Sequence, residues 1–208
     1  VVTTGVPLRA GLRAIPQAAA RRRLGIPQNA TVLLLLGGSQ GSLALNRFVA
    51  ENIHQIAARF PDLWLLAVTG GKYEAEIVSA CRRHNVSLRM WSYCRQMDLL
   101  YAAATAALSR AGASSCAELL AFGLPALLVP LPTAADDHQT HNARAFCAEG
   151  GGIWLPQEQL KRRGVDAVVQ ILRQKRRPFR DFSDSARIIA SSLVEVLVDR
   201  ESVLEVRA

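Results

Sequence analysis

The 208-residue chain is 50% hydrophobic and 20% charged, enough apolar material for one substantial core, which excludes intrinsic disorder. Its longest uncharged run, residues 119–135, is broken by Gly123, Pro125, Pro130 and Pro132, so it reads as a helix–turn–strand passage and not as a membrane span. Twenty-five basic residues against 17 acidic ones leave a net charge of +8, which implies attraction to nucleic acid, anionic lipid or phosphorylated substrates, or simply a basic solvated face.

The chain opens without Met or a signal peptide and reads as a fragment or a trimmed form. Residues 10–29 read as a connector with a basic Arg21-Arg22-Arg23 patch. Thr31–Leu36 is a fully apolar strand, followed by the turn Gly37-Gly38-Ser39-Gln40-Gly41 and a helix to about residue 60. A second strand is expected over 63–69, a helix to about 84, and a strand over 87–92. Residues 95–103 read as helix, 105–109 as strand, 114–122 as helix and 126–130 as strand. A helix over 136–149 and a short strand over 150–155 complete the alternation, and beyond Pro156 the pattern is helical and basic. Short apolar strands alternating with helices describe an α/β domain whose parallel sheet is covered on both faces.

Cys81, Cys94, Cys116 and Cys147 have no paired C-x-x-C spacing and read as small core residues in a reducing compartment. Trp64, Trp91 and Trp154 fall in strands and are expected in the core, and His54 and His84 on the surface or at an interface. No RNA-recognition aromatic signature, zinc finger or Walker lysine is present, so nucleic acid is not the expected partner.

In an open parallel sheet ligands bind where carboxyl ends of strands feed helix N-termini. Gly37–Gly41 is such a turn: glycines let the backbone approach, free N–H groups and the helix dipole favour phosphate, and Ser39 adds a hydroxyl. The alternative is a tight turn without a ligand. The same residues also match G-x-S-x-G, a hydrolase nucleophile elbow with Ser39 as nucleophile. That chemistry needs a histidine and an acid on separate loops, and Asp136, Asp137 and His138 crowd one segment.

The second constellation is Ser109-Arg110-Ala111-Gly112-Ala113-Ser114-Ser115-Cys116-Ala117-Glu118. Arg110 can neutralise a phosphate, the small residues leave room for a base or pyrophosphate, and Glu118 can accept from a ribose diol. Taken alone, Ser115-x-x-Glu118 reads more simply as a capping box. The third is Asp136-Asp137-His138-Gln139-Thr140-His141-Asn142, whose mixed donors and acceptors suit sugar hydroxyls. His138 and His141, three apart, are a weaker metal signal, and acids at a helix start are ordinary dipole partners.

Five segments in order resemble the MurG family of glycosyltransferase family 28. They are Thr4-Gly5-Val6-Pro7-Leu8-Arg9; the Gly37–Gly41 turn with Asn46; Ser109-Arg110-Ala111-Gly112-Ala113; Ala117-Glu118-Leu119 running into Gly123-Leu124-Pro125; and Ala134 through Ala143. The family transfers N-acetylglucosamine (GlcNAc) from UDP-GlcNAc to the undecaprenyl-linked muramyl-pentapeptide, with inversion and without a metal or other cofactor, on two Rossmann-like domains facing a cleft (the GT-B fold). The resemblance implies that this chain is the carboxyl-terminal, donor-binding half. Residues 1–29 would be linker and connector, 30–178 the Rossmann-like domain, and 179–208 a helical segment packing back toward an amino-terminal domain.

By the same resemblance, Ser39, Gln40 and Gly41 should meet the diphosphate with Arg9 and Arg110 nearby, and the backbone around Cys94 the uracil. Gly112, Ala113 and Ser114 should line the phosphate–ribose turn, Glu118 should bind the ribose, and His138, Gln139 and Asn142 should face the GlcNAc. The acceptor site, the general base and a membrane-docking patch belong to the family's amino-terminal domain, so the base is not assigned here. The implied setting is the cytoplasmic face of the bacterial inner membrane, held at an anionic surface, with this half soluble. Two departures stand out: Val6 replaces the usual Asn of the linker motif, and Thr105 stands where an acid is common. The alternative is a stand-alone or split-subunit donor-binding module, like the eukaryotic Alg13–Alg14 pair, with no activity of its own.

Overall fold

The apolar runs form one parallel sheet in the order β3-β2-β1-β4-β5-β6. The strands are β1 (Thr31–Leu36), β2 (Leu63–Val68), β3 (Ser87–Trp91), β4 (Ala106–Ser109), β5 (Ala126–Leu128) and β6 (Gly152–Trp154). The computed structural model describes residues 6, 8, 9, 11–38, 40–180 and 191. Every expected strand is present, β1 with the expected bounds and the others one to three residues shorter where loops begin.

The central strands are buried on both faces because helices cover both. Alternation along β1 sends Val32, Leu34 and Leu36 into one core, while Leu33 and Leu35 enter the other. The first core is closed by α1 (Gln17–Arg23), α4 (Met97–Ala103), α5 (Ala113–Ala121) and α6 (His138–Ala148). The second is closed by α2 (Leu43–Ala57), α3 (Glu74–Arg83) and α7 (Leu160–Leu172). β3, at the sheet edge, is only partly covered.

Three expectations are corrected. The connector 10–29 contains α1, which starts after Pro16 and runs through consecutive alanines, strong helix formers. Arg21 is consequently not part of an exposed basic patch: it is buried in the helix interface, where Nε donates to the Ala103 carbonyl at 3.1 Å. The three tryptophans are half-buried, packed on the margin of the first core. Cys81, Cys94 and Cys116 are buried and Cys147 half-buried, all four free thiols. Of the expected carboxyl-terminal segment 179–208, only Phe179, Arg180 and Ser191 are described. Phe179 packs edge-on to Phe122 at 5.2 Å, and the Arg180 amide donates to the Ala121 carbonyl at 2.7 Å. Among the described residues no helix is long and apolar enough to cross a membrane.

Candidate functional site

The chain reverses its direction of travel across the sheet between β1 and β4, so a crevice opens beyond their carboxyl ends. The turn after β1 enters it from one side and the start of α5 from the other. Gly41 has φ +67°, and a Cβ there would lie 2.2 Å from the Thr69 carbonyl oxygen, so this turn is pressed against the β2–α3 loop. Buried Asn46 holds the contact from below, its Nδ2 donating to Thr69 O at 3.0 Å and Lys72 O at 2.7 Å. Ser42 N-caps α2, accepting from the Leu45 amide at 3.4 Å. Gln40 is exposed at the rim, and Ser39 lies outside the described residues.

The capping box is not formed. The N-cap of α5 is Gly112, with no side-chain cap, so Ser115 is already in the first turn and Glu118 sits beyond the position a box requires. The first amides of α5 therefore face the crevice uncapped, beside exposed Ala113 and Ser114. Glu118 is 2% exposed and is bound from two directions. Arg9 donates through Nε at 3.2 Å and Nη2 at 2.9 Å to Oε1, and through Nη2 at 3.0 Å to Oε2. The Tyr101 hydroxyl donates to Oε2 at 2.7 Å. Partial burial alone would lower the Arg9 pKa, but its hydrogen bonds and charge attraction to Glu118 raise it above the ordinary value. Burial, then the neighbouring Glu118 charge, pushes the Tyr101 phenol well up, so it stays a donor. Cys94 is buried within electrostatic reach of Arg9, and burial raises its thiol pKa too.

Arg110, expected at a phosphate, is turned inward and is 7% exposed. Its Nε donates to Ser42 Oγ at 3.0 Å, Nη1 to the Val129 and Pro130 carbonyls at 3.1 and 3.0 Å, and Nη2 to Gln157 Oε1 at 2.6 Å. It ties the α2 N-cap to the exit of β5, and four of the five N–H groups a guanidinium carries are committed to the protein itself.

The 136–149 helix is divided by two consecutive left-handed residues, Asp136 (φ 48°) and Asp137 (φ 52°). A short 3₁₀ turn, Ala135–Asp137, precedes α6. His138 Nδ1 lies 2.7 Å from the Ala135 carbonyl, which can only accept, so Nδ1 donates and Nε2 is left to a further partner. Gln139 Oε1 accepts from the Leu131 amide at 3.0 Å, leaving its amide nitrogen as donor. Asn142 Nδ2 donates to the Ala111 carbonyl at 3.0 Å, locking α6 to the turn before α5. Three side chains thus spend one polar atom each on fixing their own position and keep a second. Among the described residues, no three His, Cys, Asp or Glu side chains gather where they could hold a metal ion.

The sequence reading missed Tyr101 and the pairing of Arg9 with Glu118. Tyr101 carries a detectable signal, the lone phenol among the apolar side chains of α4, whose buried hydroxyl needs a partner. The Arg9–Glu118 pair joins residues 109 apart and has no local signal.

Residues 32–196 match the family model for the glycosyltransferase family 28 C-terminal domain. The chain is 38% identical over 159 residues to the UDP-N-acetylglucosamine–N-acetylmuramyl-(pentapeptide) pyrophosphoryl-undecaprenol N-acetylglucosamine transferase of Salinibacter ruber, covering 76% of this chain and 42% of that protein. It is 39% identical over 160 residues to the transferase of the same name from Opitutus terrae, covering 75% and 42%. It is similar in fold to the crystal structure of Acinetobacter baumannii MurG, with a TM-score of 0.62 and 24% identity over 85% of this chain and 49% of that one. The chain therefore spans less than half the length of each of these three relatives.

Proposed function

Because the chain belongs to glycosyltransferase family 28, through its C-terminal domain, we propose that it is the donor-binding half of an inverting N-acetylglucosaminyltransferase that takes UDP-GlcNAc and glycosylates an undecaprenyl-linked muramyl-pentapeptide in peptidoglycan synthesis. The observation that carries this reading is the buried Glu118 carboxylate on α5, the helix that starts at the crevice between two turns whose backbone amides suit a diphosphate. Glu118 accepts the ribose hydroxyls. Ser39, Gln40, Gly41 and the Gly112–Ser114 amides take the diphosphate with Arg9 beside them, and the backbone at Cys94 reads the uracil. His138 Nε2, the Gln139 amide and Asn142 Oδ1 meet the GlcNAc hydroxyls. Arg110 serves by holding the α2 cap and not by touching phosphate.

In the transfer, the acceptor hydroxyl oxygen bonds to the anomeric carbon from the face opposite the leaving group. The bond from that carbon to the β-phosphate oxygen breaks, and UDP departs with the electron pair. Fixed amides at the two turns stabilise the negative charge that builds on the diphosphate, with little reorganisation at the moment of reaction. A base on the acceptor half takes the proton. The family match leaves the hydrolase reading of Ser39 without support. The protein works at the cytoplasmic face of the inner membrane, its positive charge favouring an anionic surface.

Calorimetric titration with UDP-GlcNAc in EDTA, repeated with magnesium, tests the proposal. Equal saturable binding in both buffers supports it. The absence of binding to the folded chain would refute a self-sufficient donor site.

A further inference from the structure

We propose that Tyr101 is a positioning residue: it keeps the Glu118 carboxylate aimed at the ribose diol when Arg9 gives way, and so sets the preference for a ribonucleotide over a deoxynucleotide. This rests on the reading of Glu118 as the ribose acceptor. A carboxylate offers about four acceptor directions. All four are taken here, three by Arg9 and one by Tyr101. A ribose diol donating two hydrogen bonds must displace a donor before it can bind.

The two donors are not equally displaceable. The Arg9 side chain is 45% exposed and belongs to an irregular segment, so water and ligand phosphate can receive its guanidinium. Tyr101 is 2% exposed, on α4 in the first core, with its ring 5.2 Å from that of Phe122. Its hydroxyl has no other side-chain or backbone partner among the described residues. Departure of Arg9 empties both directions on Oε1 and one on Oε2, and leaves Tyr101 on the other. The diol then takes one bond on each oxygen. The remaining phenol bond blocks rotation of the carboxylate and satisfies the Oε2 direction that faces protein.

The test is to titrate UDP and 2′,3′-dideoxyuridine diphosphate into the full chain and into Tyr101→Phe, which keeps the ring packing. The wild type should prefer UDP. The variant should bind UDP about tenfold more weakly and the dideoxy ligand unchanged, so the ribose preference contracts by the same factor. In a Glu118→Ala background, Tyr101→Phe should cause no further loss. An equal loss for both ligands, no loss for either, or a loss that persists without Glu118 would overturn the inference.

A second readout is independent of the variant's folding. In the wild type, the slowly exchanging Tyr101 hydroxyl proton should persist by NMR on addition of UDP while the Arg9 Nε–H resonance shifts. Disappearance of the Tyr101 signal would overturn the proposal. A wild type that binds both ligands alike would instead bring down the Glu118–ribose reading, and this inference with it.

Discussion

Arg9 and Glu118, 109 residues apart, meet in a two-pronged ion pair with Nη2–Oε1 at 2.9 Å. The Arg9 side chain is 45% exposed and that of Glu118 3%, so the pair joins the amino-terminal segment to the core. The same carboxylate that holds the amino-terminal segment to the domain is the one assigned to the ribose. On that proposal, donor binding and the position of the amino-terminal segment draw on a single acceptor.

Glu118→Ala should separate the two roles. Loss of the ribose acceptor is expected to weaken UDP about 100-fold, as two hydrogen bonds to a charged group are worth roughly 3 kcal/mol together. The buried Tyr101 hydroxyl is also left without a partner, which costs about 1–3 kcal/mol of stability. Calorimetry and urea unfolding measure the two effects. Full UDP affinity in a destabilised variant would leave Glu118 with a purely structural task.

Gly41 and Gly38 are both left-handed, with φ +67° and +81°, but their surroundings differ. A Cβ on Gly38 meets nothing within 4 Å, so Gly38→Ala should cost only the backbone term, about 1 kcal/mol. A Cβ on Gly41 meets Thr69 O at 2.2 Å and Gly70 Cα at 2.8 Å, which forces the two loops apart. Gly41→Ala should lose about 3 kcal/mol or more in urea unfolding and abolish UDP binding. Similar costs at both positions would contradict the close packing of these turns.

Arg110→Lys distinguishes a brace from a phosphate ligand. Lysine keeps the charge but cannot reach Ser42, Val129, Pro130 and Gln157 together. The expected result is a loss of about 2 kcal/mol in urea unfolding, with the UDP dissociation constant within about threefold of wild type. A large fall in affinity at unchanged stability would return Arg110 to the phosphate.

How far the sequence speaks follows from the range of each interaction. Thr31–Leu36 and Leu63–Val68 were legible because a fully apolar run bounded by glycine or proline is a local property, and their alternation with helices implies the parallel sheet. α1 was hidden because polar and basic residues fill its exposed face, and its burial comes from docking on α4, which no local pattern reports. Glu118 stands out in the sequence, but the capping-box reading of its spacing does not hold in the structure. S-x-x-E spacing suggests a cap, yet Gly112 starts the helix three residues earlier and the carboxylate turns to Tyr101 and Arg9.

Thr105 gives the last prediction. Thr105 Oγ1 accepts from the Val32 amide at 2.9 Å and from Arg21 Nη2 at 3.3 Å. The hydroxyl satisfies both donors but carries no charge, and burial lowers the Arg21 pKa because that cation has little nearby compensation. Thr105→Asp should replace a long neutral contact with a charge-assisted one while still accepting from Val32. The site is half-buried, so desolvation of the new carboxylate takes back part of the gain. The net expectation is about 1 kcal/mol of added stability, seen as a raised urea midpoint at neutral pH and lost as pH falls through the range where the new carboxylate protonates. Thr105→Val, which removes the acceptor from two donors, should move the midpoint the other way by a similar amount. Destabilisation by Asp would mean that Arg21 is already compensated by the carbonyls around it, and that the hydroxyl at 105 is the better partner for this helix.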